Sequence, residues 1–167
     1  MDVVHGIEVI ISAILFALPA YIANATPLIL AKFMPKRRPI DLGKCWLDGK
    51  RILGDSKSIE GFVSGTFAGF VVGALLNSPL KGFLMGLGAM TGDVLGSFIK
   101  RRLSISQGEP APLLDQYLFM LIALLFSGSA GYTPSMEQLI VILVVTPILY
   151  ISSNYVAYLL KMKPKPF

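Results

Sequence analysis

The chain has 167 residues, 54% of them hydrophobic, and a mean hydropathy of +0.68. Its 15 Lys and Arg outweigh 10 Asp and Glu, for a net charge of +5. Apolar runs this long exclude an ordinary water-soluble enzyme, and the single cysteine, Cys45, excludes an internal disulfide.

A membrane-spanning helix takes roughly 20 mostly apolar residues. Five such runs are predicted, at about 7–33, 61–78, 81–99, 113–131 and 138–160. They use most of the chain, so residues 1–167 are expected to form one all-α, polytopic membrane domain. It would be a bundle of five transmembrane helices with loops at about 34–60 and 100–112. Met1-Asp2 is followed by no basic residue and the first apolar run is long, so no cleaved signal peptide is expected.

The first run carries Pro19, Asn24 and Pro27. Proline removes a backbone donor and can kink or break a helix, so a bend is expected around 21–27, with Asn24 facing protein. Asn24 either bonds to a neighbouring helix, the commoner role in bundles, or contacts a ligand.

The loop PKRRPIDLGKCWLDGKRILGDSKSIEG interleaves Asp41, Asp48, Asp55 and Glu60 with Lys44, Lys50, Arg51 and Lys57. Gly43, Gly49 and Gly54 mark turns, and Trp46 belongs at the membrane interface. A purely basic loop would adhere to anionic lipid head groups; the interleaved acids weaken that attraction. Gly54-Asp55-Ser56-Lys57 brings together a flexible backbone, a carboxylate, a hydroxyl and an ammonium. These are the parts of a Mg²⁺–polyphosphate site, though the Walker A spacing is absent.

In the second run Gly61, Gly65, Gly69 and Gly73 recur every four residues. The third has its own rows, Gly82 and Gly86, then Gly88, Gly92 and Gly96. Ridges of small residues let helix backbones approach closely. The two runs are therefore predicted to form a tight hairpin, turning near Asn77-Ser78-Pro79.

Asp93, Gly96, Ser97 and Lys100 are spaced to share one face of the third helix. A charge inside a spanning segment is expensive and points to function. Two readings stand open. In one, Asp93 ligates a divalent metal while Ser97 and Lys100 contact phosphate. In the other, Asp93 forms a structural ion pair with a basic residue of the neighbouring loop. Lys100-Arg101-Arg102 serves as readily as a membrane anchor. Asp115 opens the fourth run, where a helix dipole favours a carboxylate in any case; its approach to Asp93 is the expectation of interest. In the fifth run most of Pro147, Tyr150, Asn154, Tyr155 and Tyr158 read as a kink and an aromatic belt, and Lys161, Lys163 and Lys165 as a basic anchor.

All Lys and Arg except Lys81 fall at one end of such a bundle. The positive-inside rule puts that end, with both loops and the C-terminus, in the cytoplasm, and the N-terminus outside. A multi-pass protein of the plasma membrane is expected.

Gly92-Asp93-Val94-Leu95-Gly96-Ser97-Phe98-Ile99-Lys100-Arg101 resembles the membrane CTP:lipid-phosphate cytidylyltransferases. Gly108, Pro110 and Asp115 stand where the rest of that motif continues. The Lys-Asp, His-Gly-Gly and final Asp of the phosphatidate branch are missing. The whole chain is similar instead to the short archaeal branch, the CDP-archaeol synthases. The match runs through Ala23-Asn24-Ala25-Thr26-Pro27, Pro39-Ile40-Asp41, Gly54-Asp55-Ser56-Lys57-Ser58 with Gly61, the Asp93 motif, and Asp115-Gln116.

The resemblance implies transfer of CMP from CTP to an unsaturated archaetidic acid, with Mg²⁺ as cofactor and pyrophosphate released. It implies metal binding by Asp93, Asp115 and Asp55, and catalytic roles for Asp93, Asp115, Lys57 and Lys100. Asp55, Ser56, Lys57, Ser97, Lys100, Arg101, Asn24, Asp41 and Gln116 become the candidates for substrate binding. The partners are CTP, an isoprenoid glycerol phosphate lipid and the bilayer; no nucleic acid is expected, and the oligomeric state is open. The alternatives are a phosphatidate cytidylyltransferase-like enzyme acting on another lipid phosphate and, in a different class, a small membrane transporter. A transporter would need a polar lining through the full depth of the bundle.

Overall fold

The computed structural model describes residues 3–161. Five helices account for most of them: α1 Val3–Phe33, α2 Ile59–Leu75, α3 Pro79–Arg102, α4 Leu114–Ser129 and α5 Met136–Leu159. The all-α expectation is borne out, and each helix overlaps a predicted apolar run. Three of them, α1, α3 and α5, are long and apolar enough to cross a membrane. The other two, α2 and α4, are shorter apolar helices of 17 and 16 residues. At a rise of 1.5 Å per residue they measure about 25 Å, against a hydrocarbon core of about 30 Å. Of the basic tail, Lys161 is exposed; Lys163 and Lys165 lie outside the described residues, as does Asp2.

α1 continues through both internal prolines without interruption. It buries a stripe of small side chains, Ala13, Ala17, Ala20 and Ala23, all fully enclosed. Met85 and Met90 of α3 and Met120 of α4 fill the space beside this stripe. Unbranched thioether side chains suit such irregular gaps.

The predicted α2–α3 hairpin is present and closes over only Leu76–Ser78. The buried residues of α2 are its four glycines. A methyl group built on Gly69 would come within 2.6 Å of Gly86 Cα, and one on Gly73 would collide with Gly82. α3 makes a second backbone contact on its other side. A methyl on Gly92 would lie 2.6 Å from Phe119 Cα, and one on Gly88 2.7 Å from Ala123 Cα. The two glycine rows of α3 thus serve two partners, α2 and α4.

Helix starts follow local chemistry. Ser58 caps α2 by accepting from the Gly61 N–H, and Ser135 with Gln138 forms a complete capping box on α5. The 34–58 segment is a folded excursion with two isolated antiparallel bridges, Pro39 to Ser58 and Cys45 to Arg51. The predicted turn glycines Gly43, Gly49 and Gly54 all adopt positive φ. The chain order places both connecting segments, 34–58 and 103–113, at one end of the bundle with the last turn of α5.

Candidate active site

Helical spacing puts Asp93, Ser97 and Lys100 on one face of α3, and the helix persists to Arg102, so all three are rigidly carried. Lys57 reaches that face from the 34–58 segment. Its Nζ donates to Asp93 Oδ2 at 2.6 Å. Of the two readings left open by the sequence, the ion pair with a neighbouring loop is therefore formed in the ligand-free chain. Two turns further on, Lys100 Nζ donates to Asp115 Oδ2 at 2.8 Å and to the Glu109 carbonyl at 2.6 Å. Asp115 Oδ2 also accepts from the Ala111 N–H, at 2.9 Å. Two acid–lysine couples thus stand on adjacent helices, each linking a helix to a loop or to the next helix.

Both couples are largely withdrawn from water. Side-chain exposure is 20% and 32% for Lys57 and Asp93, and 11% and 19% for Lys100 and Asp115. Reduced hydration strengthens each attraction and makes removal of one partner costly. Among the described residues, Oδ1 of Asp93 and Oδ1 of Asp115 carry no hydrogen bond. A small, solvent-open cleft lies beside Lys57 and Asp93. Pro27 of α1, Ile40, Phe62 of α2 and Met90 give it apolar walls, and Ser56 lies at its edge.

The loop that supplies Lys57 is fixed by Asp41. The Asp41 side chain is fully enclosed. It accepts from Arg51 Nε and Nη2 and from the N–H groups of Gly43, Leu53 and Gly54, at 2.9–3.1 Å. Burial alone would push this carboxyl up, but the Arg51 guanidinium and the three backbone donors hold it well below the usual carboxylate range. Arg51 also bridges to Asp55, at 2.8 Å. Hydrogen bonds to both acids push its pKa up. The Asp55 N–H donates to Gln107 Oε1 at 3.3 Å, joining the two loops. Arg102 ties them further, through Asp48 and the Arg51 carbonyl.

The other sequence candidates surround these couples or support them. Asn24, Ser97 and Gln116 are half-buried and Ser56 is exposed. Among the described residues none of these four has a side-chain hydrogen bond. Arg101 is half-buried, forms no ion pair among the described residues, and its Nε is enclosed without a partner. Asp41 is saturated by its own loop and acts through it. Asp55 is tied to Arg51 and largely exposed. Among the described residues no three His, Cys, Asp or Glu side chains gather tightly enough to hold a metal ion by themselves. Two carboxylates with spare oxygens are nonetheless the usual protein share of a Mg²⁺ site, which substrate phosphates and water complete.

Sequence reasoning missed three features. Arg51 and Gln107 read as generic loop residues, and their roles appear only once the loops dock. On α5, where most of the singled-out residues read as a kink and an aromatic belt, Tyr150 and Asn154 depart from that pattern. Tyr155 and Tyr158 do face outward, but Asn154 is only 9% exposed and Tyr150 packs against the core. The four-residue spacing of Thr146, Tyr150 and Asn154 is the signal that separates them from the belt.

The family model described as CarS-like, CDP-archaeol synthase, matches residues 6–80 and 73–167. A CDP-archaeol synthase of Pyrococcus furiosus is 42% identical, covering 95% of this chain and 98% of the relative. The enzyme of that name from Thermofilum pendens is 40% identical, over 93% and 80%, and that from Aeropyrum pernix 42%, over 96% and 94%. A solved structure, described as an intramembrane enzyme for archaeal membrane lipids biosynthesis, superposes with a TM-score of 0.74. It has 41% identity, covering 87% of this chain and 94% of the other.

Proposed function

The chain belongs to the CarS-like family of CDP-archaeol synthases, and from that premise we propose how its helices and loops do the work. It is a membrane-embedded cytidylyltransferase that makes CDP-archaeol with CTP in archaeal lipid biosynthesis. In our reading the acceptor is an unsaturated archaetidic acid. Its phosphate oxygen attacks the α-phosphorus of CTP, the α–β phosphoanhydride bond breaks, and pyrophosphate leaves. All five helices cross the plasma membrane. The loop end faces the cytoplasm with the C-terminus, and the N-terminus lies outside, as the distribution of Lys and Arg favours.

The observation that carries this reading is the pairing of Lys57 with Asp93 and of Lys100 with Asp115 at the loop end of the bundle. A lipid phosphate is already ionised at neutral pH, so the reaction needs no strong general base. The barrier lies in bringing polyanions together, and fixed cations aimed at the phosphates lower it. Lys57 and Lys100 are held extended by their carboxylates, within reach of phosphate oxygens. Arg101, without an acidic partner among the described residues, adds charge beside them. Asp93 and Asp115 would hold Mg²⁺ through their spare oxygens, with Asp55 approaching from the loop. An ion held there would supply charge neutralisation to the triphosphate. Ser56, Ser97, Asn24 and Gln116 are free to bond nucleotide or lipid headgroup. Apolar surfaces beside α1, α2 and α5 take the isoprenoid chains.

The test is incubation of purified protein in detergent with labelled CTP, Mg²⁺ and an isoprenoid glycerol phosphate. Label should enter the lipid fraction with one pyrophosphate released per lipid, and EDTA should stop it. Activity that survives EDTA would remove the metal from this reading. No label in lipid with any isoprenoid phosphate would remove the reading itself.

A further inference from the structure

Thr146, Tyr150 and Asn154 recur every four residues on α5, so they share one face. That face turns inward: Thr146 is 1% and Asn154 9% exposed, while the flanking Tyr155 is 50% exposed. Thr146 is engaged in holding helices together. Its Oγ1 shares a hydrogen bond of 2.9 Å with Tyr21 Oη of α1 and donates to the Ile142 carbonyl.

Depth can be read from this contact. Tyr21 meets Phe119 of α4 edge-on, with ring centroids 6.4 Å apart. Tyr21, Thr146 and Phe119 therefore define one layer. Asp115 lies one turn from Phe119 toward the loop end, and Tyr150 one turn from Thr146 in the same direction. Tyr150 thus stands level with Asp115, on the α5 wall. Its hydroxyl shares a hydrogen bond with Asn154 and lies within electrostatic reach of Asp115 and Asp93.

This is the boundary between the charged mouth and the apolar body of the bundle. Lys57, Asp93, Lys100 and Asp115 occupy the levels from Phe119 out to the loops, and Ala13 and Ala17 lie on the other side of that layer. The wall at this point is α5, which leans mainly on α1 and meets α4 along a thinner seam. A nucleotide approaches from the aqueous loops. A lipid phosphate must place its head at the charged mouth while its chains stay in the apolar body, so its glycerol end passes this boundary. A neutral hydroxyl at the level of Asp115 can donate to an incoming anion without adding repulsion.

On the reading above, we infer that Tyr150, oriented by Asn154, binds the glycerol phosphate head of the lipid substrate from the α5 wall. Tyr150 is then a substrate-binding residue, and Asn154 a positioning residue that acts through it.

The experiment is steady-state kinetics with each substrate varied in turn. Tyr150→Phe should raise KM for the lipid phosphate about 3- to 10-fold, the worth of one hydrogen bond, and leave KM for CTP unchanged. Asn154→Ala should shift the lipid KM in the same direction, and the double variant should be no worse than Tyr150→Phe alone. Tyr21→Phe loses a hydrogen bond one layer deeper; it should lower the melting temperature while keeping both KM values. An unchanged lipid KM in Tyr150→Phe, or an equal rise in both KM values, would overturn the inference. If Tyr150→Phe fails to accumulate, Asn154→Ala, which keeps the ring, decides by the same split. Wild-type turnover tests the reaction itself, so failure of that reading is seen before any variant is compared.

Discussion

Lys57 and Asp93 are 36 residues apart in sequence, and their side chains meet at 2.6 Å, joining the first loop to the face of α3 that carries Asp93, Ser97 and Lys100. The couple places a cation at the edge of the cleft and keeps one carboxylate oxygen free beside it. Each partner has a separate task, so their removal should have different results. Asp93→Asn should abolish CMP transfer while the protein still accumulates in membranes. Lys57→Met should lower kcat/KM about 10- to 100-fold, the range of one charge-assisted hydrogen bond. Labelled-CTP turnover measures both. Full turnover by Asp93→Asn would take that carboxylate out of the reaction.

Acid should act on the loop through Asp41. Its carboxyl is held below the usual range in the folded chain. It therefore contributes stability that is fully present above the ordinary carboxylate pKa of about 4, and that is lost only as pH falls through the lower, folded value. Trp46, the single tryptophan, stacks edge-on against Phe98 of α3 at 5.4 Å and reports whether the loop is docked. Its emission should hold steady from neutral pH down to about pH 4 and change only in stronger acid. Asp41→Asn should give the undocked emission already at neutral pH, because in that enclosed site an amide NH2 would face donors from which both Asp41 oxygens now accept, leaving Arg51 only Asp55. A transition midway between pH 5 and pH 6 would contradict this assignment.

The α3–α4 contact predicts a sharp contrast between two glycines. At Gly92 an added methyl group meets backbone atoms of Leu118 and Phe119 at 2.6 Å, so Gly92→Ala must push α4 away. Asp115 rides on that helix. The variant should lose about 1–3 kcal/mol of stability, and its turnover should fall. At Gly128 the nearest atom is Thr133 Cγ2, at 3.7 Å, an ordinary contact. Gly128→Ala should be neutral or slightly stabilising through helix propensity. Thermal melting in detergent, with turnover measured alongside, separates the two.

Features set by local spacing were legible from the sequence. Length and apolar runs located all five helices within a few residues. Four-residue glycine spacing announced the α2–α3 hairpin, and the interval between Asp93 and Lys100 placed both on one face. Features set by docking were not legible. Nothing near Lys57 in sequence says that it meets Asp93 rather than a water molecule or Asp55. The knot of Asp41, Arg51 and three backbone N–H groups depends on two turns closing together. Tyr150 was misread because a tyrosine near the end of a spanning helix usually marks the interface, and only the inward turn of Thr146 and Asn154 shows otherwise. The second glycine row of α3 was visible, but which helix it met was not.

The backbone-to-backbone contacts flanking α3 are made where side chains are missing, so a scan that trims each residue to alanine has nothing to remove there. Gly69, Gly73, Gly82, Gly88 and Gly92 will reveal their weight only when atoms are put in. A mutational survey of this membrane enzyme that counts losses alone will credit its stability to the methionines and alanines and overlook the seams that set the spacing of its helices.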